Sequence, residues 1–577
     1  MKIINLFLLL AVIALPAQAG WKWHNPQKAG YPVIQGQGWT DENAGSYRRL
    51  PLRAKEQVRP PLWDLSENSA GLSIHFYSTT PKVKVRYTVS GGHAMPHMPA
   101  TGVSGLDLYV VDENGRWERA AGNFSFGDTL VYDFGAINPQ VHHSKGYEYR
   151  LFLPLYNSVK WMEIGTSDEA DFTFAPASKE KPIVVYGTSI AQGACASRPA
   201  MAWSNVLNRK MEHPLINLGF SGNGKLEKEM LSLLGELDAR VYVLDCLPNI
   251  SGGRFPVYDL VMAAIHQLRT ARPQTPILLV EHAGFPNMGI NVERKKETDE
   301  VNQASRQAYE ALLAEGVKSL YYLSREEMSY PADGWVDVIH PSDWGMMAYA
   351  TAYEKKLREI LNEPVGTLST TIPVMQRRDA NTYEWLPRHE SVLAHHAQTP
   401  PRAVVMGNSI THFWGGEDTG ARQSGKESWE KTMKPAGFYN MGCGWDRIEN
   451  LLWRVYHGEL DGFAAKKIVL KIGTNNLDFN TDSEIVDGMK FLLSAIRLRQ
   501  PQAVVKVMGI LPRKGYEPRI KALNKKIERM SLSAGCRFTD AGSALLQKDG
   551  KINASFFSDG LHPNEQGYNQ IAVKVAE

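Results

Sequence analysis

The spacing of apolar positions changes character along this chain. Over residues 21 to about 175, apolar and polar residues alternate in short runs such as "LSIHFYS" and "KVKVRYTV", set between turns rich in Gly and Pro. Period-two alternation buries one face of a strand, so this stretch predicts an antiparallel β-sandwich. From about residue 181, unbroken apolar runs take over: "PIVVYG", "RVYVLDCL", "TPILLVEH" and "SLYYLS". They are separated by amphipathic segments such as "LVMAAIHQLRTARP" and "ETDEVNQASRQAYEALLAEG". Strands covered on both faces and alternating with helices predict a parallel α/β sheet. The rhythm breaks over residues 362–390, a polar stretch predicted as a linker or wrapping extension. It then resumes in "RAVVMG", "KIVLKIG", "AVVKVMGIL" and "CRFTDAG".

The two α/β stretches repeat one another. "VVYGTSIAQGA" around Ser189 and "VVMGNSITHFW" around Ser409 share a strand that breaks into a serine-bearing turn, 220 positions apart. Asp337 and Asp559 in "VDVIHP" and "FSDGLHP" are separated by 222 positions, as are His340 and His562. Asn249 in "LDCLPN" and Asn475 in "IGTNN" both follow a strand and lie 226 apart. Offsets this similar imply two copies of one unit, with loops absorbing the differences. The length of 577 residues agrees with several domains at roughly 100–200 residues each.

The first residues add an address. "MKIINLFLLLAVIALPAQAG" places Lys2 before an apolar run and ends on Ala17-Gln18-Ala19, the small-x-small pattern of a cleaved signal peptide. Export to the periplasm or outside is expected rather than membrane insertion. The division is therefore signal peptide 1–19, sandwich 20–178, first α/β unit 179–362, linker 363–400 and second α/β unit 401–577. Export permits disulfides, but Cys195, Cys246, Cys443 and Cys536 are too few to frame the chain; a Cys195–Cys246 bridge and buried free thiols stay open alternatives. A net charge of +3 with 22% charged residues gives no basic field, so no nucleic-acid partner is expected.

Each α/β unit holds the parts of a serine nucleophile. A hydroxyl needs an imidazole base, and the base needs a group that fixes its tautomer. Ser189 and Ser409 fall at the carboxyl edge of a parallel sheet, where open α/β folds bind ligands. His340 and His562 each follow an Asp by three positions, about one helical turn, which predicts side chains facing the same way. Asn249 and Asn475, the amide of Gly222 and the nucleophile's own amide are candidate donors to an oxyanion.

"GTSI", "GFSGN", "LPN" and "DVIHP", and again "GNSIT", "GCGWD", "GTNN" and "DGLHP", resemble the four blocks of the SGNH (GDSL-like) hydrolases. "SGLDLY" at 104–109 is similar to the GxDLY signature of the sandwich that precedes some of them. The resemblance implies a multidomain chain: an antiparallel β-sandwich followed by two flavodoxin-like α/β/α hydrolase domains. It implies Ser189, Asp337 and His340 as one catalytic set, with Gly222 and Asn249 in its oxyanion hole. The second set is Ser409, Asp559 and His562 with Asn475. "GCGWDRIENLLWRVYHGEL" is similar to platelet-activating-factor acetylhydrolase-type members, except that Trp445 stands where they carry glycine, leaving its backbone amide as the donor. Thr188 and Asn408 replace the Asp of the literal GDSL string, and Ile190 and Ile410 its Leu.

The activity so implied is an exported serine esterase removing acetyl groups from polysaccharides. The rivals are a lipid, peptidoglycan or thioester hydrolase on the same scaffold, and a glycan-binding protein with an inactive unit. With neither H-E-x-x-H nor paired C-x-x-C, no metal and no cofactor are expected. His93 and His97 sit in a Gly- and Pro-rich loop expected to touch the neighbouring hydrolase unit rather than to form a helical metal pair. Trp21, Trp23, Trp39, Trp63 and Trp117 could stack sugars, but buried sandwich core is the more frequent fate of such residues and is expected for most of them.

Overall fold

The computed structural model describes residues 20–141, 144–378, 383–416 and 422–577; residues 1–19, expected as a signal peptide, lie outside them. The N-terminal region forms two antiparallel sheets. One contains Trp21–His24, Val159–Ser167, Val83–Val89, Leu130–Phe134 and Gly122–Ser125; the other contains Phe172–Phe174, Ser73–Ser78, Tyr147–Phe152, Asp107–Val111 and Trp117–Arg119. Their inward residues, among them Ile74, Phe76, Val85, Tyr87, Leu108 and Leu151, close one apolar core. Each such aliphatic side chain taken out of water stabilises the sandwich by about 1.5–3 kcal/mol.

Two five-stranded parallel sheets follow, of one topology. The first runs Leu215–Gly219, Ile183–Gly187, Val241–Asp245, Ile277–Val280, Leu320–Leu323; the second runs Phe438–Gly442, Ala403–Gly407, Lys467–Lys471, Val504–Met508, Arg537–Thr539. In chain order both read 2-1-3-4-5, the flavodoxin-like order, whose ligand crevice opens where the strand order reverses. Alternate residues of each strand serve opposite layers. Val184 and Tyr186 face helices Lys228–Glu236, Val257–Ala271 and Val292–Ala314, while Ile183 and Val185 face Trp203–Met211 and Asp343–Leu361. Val404 and Met406 against Ala403 and Val405 divide in the same way in the second unit.

The GxDLY signature acts at a domain junction. Asp107, nearly inaccessible, accepts hydrogen bonds from Arg198 Nη1 at 3.0 Å and the Ala200 amide at 2.9 Å, both in the first hydrolase unit. Arg119 holds its other oxygen at 3.1 Å, and Tyr109 accepts from Arg198 at 3.2 Å. Of the tryptophans expected in the sandwich core, Trp39 and Trp63 instead pack into a helix layer of the first hydrolase unit. Trp117 bridges units: its Nε1 donates to Glu212 at 2.9 Å, whose other oxygen takes Trp453 Nε1 of the second unit at 2.5 Å.

The stretch expected as linker or wrapping extension wraps, and it contains a helix, Trp385–Gln398. Arg377 pairs with Glu148 of the sandwich at 2.6 Å, and fully buried Trp385 donates to Asp446 at 2.7 Å. Pro387 disguises the helix in the sequence. It lies in the first turn, where a missing N–H removes no helical hydrogen bond.

Candidate active site

In each unit the first strand ends in a capped turn that starts a short helix at the serine. Thr188 Oγ1 accepts the Ile190 amide at 3.3 Å, and Asn408 Oδ1 accepts the Ile410 amide at 3.1 Å. Both residues replace the Asp of the GDSL string, and both are helix N-cap types, so the departures keep the turn. Ser189 and Ser409 are buried but for 8% and 7% of their surface.

Each serine meets the histidine more than 150 positions later. Ser189 Oγ lies 2.9 Å from His340 Nε2, and His340 Nδ1 lies 2.8 Å from Asp337 Oδ2. The second set reproduces this: 2.9 Å from Ser409 to His562 and 2.7 Å from His562 to Asp559. The other carboxylate oxygen is held by two backbone amides, Ile339 and His340 in one unit and Leu561 and His562 in the other. Burial acts to raise Asp337 and Asp559, but the hydrogen bonds from ring and amides outweigh it and hold both carboxyls below their usual range. Burial lowers His562; the pull of Asp559 opposes this without cancelling it.

The helical-turn expectation for the D-x-x-H spacing is corrected. The segment is a tight loop in which Val336 N–H donates to His340 O, and Ser558 N–H to His562 O, each at 2.9 Å. The residue after each Asp is left-handed, Val338 at φ 61° and Gly560 at φ 81°. A β-branched residue there is strained by about 1–3 kcal/mol, and the loop's own hydrogen bonds hold it.

Gly222 and Trp445 occupy one position in the two units, three residues beyond the second strand, with φ of 67° and 64°. Trp445 therefore keeps the backbone of the glycine it replaces. Among the described residues neither amide donates a backbone hydrogen bond. Asn249 Nδ2 donates to Gly224 O at 3.2 Å and Asn475 Nδ2 to Asp446 O at 2.9 Å. An amide carries two such hydrogens: Asn249 Nδ2 also reaches Phe220 O at 3.5 Å, the limit of a hydrogen bond, while Asn475 keeps one hydrogen without an acceptor among the described residues. The structure thus brings the predicted serine, histidine and aspartate together twice, with the glycine-position amide and the asparagine on neighbouring strand ends.

Other residues also reach these sites. Tyr156 of the sandwich donates to Ser189 O at 3.2 Å, and exposed His97 places its ring 5.7 Å from that of His340. The loop of His93 and His97 thus touches the hydrolase unit, as expected. Cys195 stands beside the same pair; all four cysteines are free and buried, and burial pushes the Cys195 thiol up to about 12. Beneath the serines, the third strand ends in Asp245 in one unit and Lys471 in the other, paired with Gly187 and Gly407. Among the described residues Lys471 Nζ is buried without a hydrogen bond, and Asp245 is buried with the Tyr353 hydroxyl as its polar neighbour; burial pushes the acid up to about 7, against the pull of Tyr353, and the amine well down.

Comparison with known proteins agrees with this geometry. Residues 180–358 and 405–570 each match the GDSL-like Lipase/Acylhydrolase family, and residues 21–172 match the GxDLY family, the N-terminus of SGNH-hydrolase-type esterases. A crystal structure from Bacteroides ovatus ATCC 8483, described as a GDSL-like lipase, is 30% identical; the match covers 59% of this chain and 98% of that one, with a TM-score of 0.53. The α1 subunit of Homo sapiens platelet-activating factor acetylhydrolase IB is 28% identical over 192 residues, 32% of this chain and 78% of its own. Its α2 subunit is 29% identical over 199 residues, 33% of this chain and 82% of its own. Two matched hydrolase units, a matched leading sandwich and a relative spanned almost end to end make the chain a member of the GDSL-like lipase/acylhydrolase family, and an ester hydrolase.

Proposed function

We propose that the protein is an exported acetylesterase with two working sites, acting on acetylated carbohydrate. What carries the reading is the paired relay, with serine, histidine and aspartate in hydrogen-bond contact in both units. In the first, His340 Nε2 takes the Ser189 proton as Oγ attacks the ester carbonyl, and Asp337 holds the imidazolium that forms. The oxyanion receives the Ser189 and Gly222 amides and the Asn249 side-chain amide, which turns toward it from its long 3.5 Å contact with Phe220 O, donors of which each is worth about 10²–10³ in rate. The tetrahedral intermediate expels the sugar hydroxyl, protonated by His340. Water then repeats the sequence on the acyl-enzyme and acetate leaves. Ser409, His562, Asp559, the Trp445 amide and Asn475 do the same in the second unit.

The acetyl group is supported by the relatives, whose names describe acetyl hydrolysis. The carbohydrate is supported by exposed indoles: Trp344, four positions after His340, is 61% exposed, and Trp445 is 50% exposed. A flat apolar ring with a polar edge suits the apolar face of a sugar. Export rests on the leader at 1–19; among the described residues no helix is long and apolar enough to cross a membrane. The test is acetate release from acetylated xylan and pectin by Ser189→Ala, Ser409→Ala and the double variant. Each single variant should keep one activity and the double variant neither. Undiminished turnover in the double variant, or faster cleavage of long-chain esters than of acetates, would refute the proposal.

A further inference from the structure

We infer that His97, Cys195, Asp337 and His340 form an inhibitory site for zinc-class divalent ions, which silences the first relay and spares the second. The inference rests on the reading of His340 as the base. One donor atom from each of the four residues lies within 4.8 Å of all the others. Ligands at about 2.0–2.3 Å from a tetrahedral ion stand about 3.3–3.8 Å apart, so the set closes with side-chain shifts on the order of 1 Å. His97, exposed on its sandwich loop, supplies the freedom for that shift and an open approach for the ion.

The donor set has the composition that selects such ions. A thiolate with two imidazoles and a carboxylate favours zinc and its neighbours over magnesium or calcium, which prefer oxygen alone. Binding releases the Cys195 proton to solvent, and the two negative charges of thiolate and carboxylate then balance the ion. The cost falls on His340. Its Nε2 faces Ser189 and its Nδ1 faces Asp337, so an ion on either nitrogen removes one arm of the relay.

Nothing comparable stands at the second relay among the described residues. Six positions beyond the nucleophile, where the first unit has Cys195, the second has Gly415, and Arg422 brings a positive charge to 4.0 Å from Asp559. The other cluster of this kind, Glu180, His213 and His457, is already served by Arg240 at 2.7 Å from Glu180 and Glu363 at 2.9 Å from His213.

The experiment uses the full chain in two forms, Ser409→Ala to isolate the first relay and Ser189→Ala to isolate the second. Each is titrated with Zn²⁺ during turnover of a simple acetate ester, then treated with chelator. Co²⁺ is added in parallel, and its thiolate-to-metal absorption band is read. Zn²⁺ should abolish turnover of Ser409→Ala reversibly and leave Ser189→Ala unchanged. The cobalt band should appear with the native chain and vanish in Cys195→Ser. Loss of an outer-shell partner alone weakens metal sites about 10–100-fold, so His97→Ala should raise the half-inhibiting Zn²⁺ concentration at least that much. Equal inhibition of the two variants, or a cobalt band that survives Cys195→Ser or never forms, overturns the site. Were Ser409→Ala inactive without any metal, the esterase reading of the first relay would fall, while the cobalt band would still decide whether the ion binds.

Discussion

Replacing Asp337 with Asn changes one atom in the first relay and should disable it through the histidine tautomer. Asp337 Oδ1 accepts two backbone amides, from Ile339 at 3.1 Å and His340 at 2.8 Å, while Oδ2 faces the ring Nδ1 at 2.8 Å. An asparagine has one oxygen to accept and one NH₂ to donate. Turning the NH₂ toward the backbone would set it against two N–H groups, so the oxygen stays there and the NH₂ faces the ring. Nδ1 must then be bare, and the proton moves to Nε2, which points at Ser189 Oγ. The lone pair that would accept the serine proton is gone.

Restoring it means opposing one N–H with another in a half-buried site, at about 1–3 kcal/mol per mismatched group. The two opposed donors together cost about 2–6 kcal/mol, or about 10–10⁴ in kcat at 1.36 kcal/mol per decade. The corresponding exchange in a serine-protease triad costs about 10⁴. The assay is acetate-ester turnover in the Ser409→Ala background, with thermal melting to verify folding. Asp337→Ala, which leaves the ring free to choose its tautomer, should be no slower than Asp337→Asn. If the Asn variant folds and keeps more than about a tenth of the parental kcat, less than 1.4 kcal/mol, the tautomer argument fails.

Two further outcomes test the second unit. His562 is lowered by burial beyond what Asp559 restores, and only its neutral form is a base. Its activity should therefore persist as pH falls through the ordinary histidine range and be lost below it; in Ser189→Ala, an acid limb of kcat/KM centred at or above about 6.5 would contradict this. Arg454 is fully buried, with Asp446 at 2.9 Å and Glu459 at 2.5 Å. Arg454→Met leaves both carboxylates without their cation and should destabilise the second unit by about 3–5 kcal/mol, visible in calorimetry; an unshifted transition would mean the pair carries no such weight.

Much of this was legible in the chain because it is local or repeated. Continuous apolar runs announce doubly covered strands, since each face of such a strand meets a helix layer. The serine turn, the asparagine after the third strand and the D-x-x-H loop are short segments whose residues meet their backbone within a few positions. Their recurrence in a second copy separates them from chance. The left-handed backbone at Gly222 and Gly560 is half visible as glycine, but Trp445 and Val338 hold the same conformation without it, held by surrounding hydrogen bonds rather than by residue type. The D-x-x-H spacing foretells that Asp and His meet, but not the backbone that brings them together, because a spacing of three does not distinguish a helical turn from a loop with one positive φ.

What only the tertiary structure decided are contacts between segments far apart in sequence. Ser189 and His340 are 151 positions apart, and no property of either residue states that the sheet returns one to the other. Asp107 serves a junction rather than a ligand because Arg198 of another domain reaches it. Asp245 and Lys471 are unremarkable letters at the ends of two strands, made costly by a desolvation that depends on everything packed around them. Periodicity and short motifs are encoded by neighbours along the chain; burial, charge pairing and the approach of His97 to His340 arise only when whole units dock.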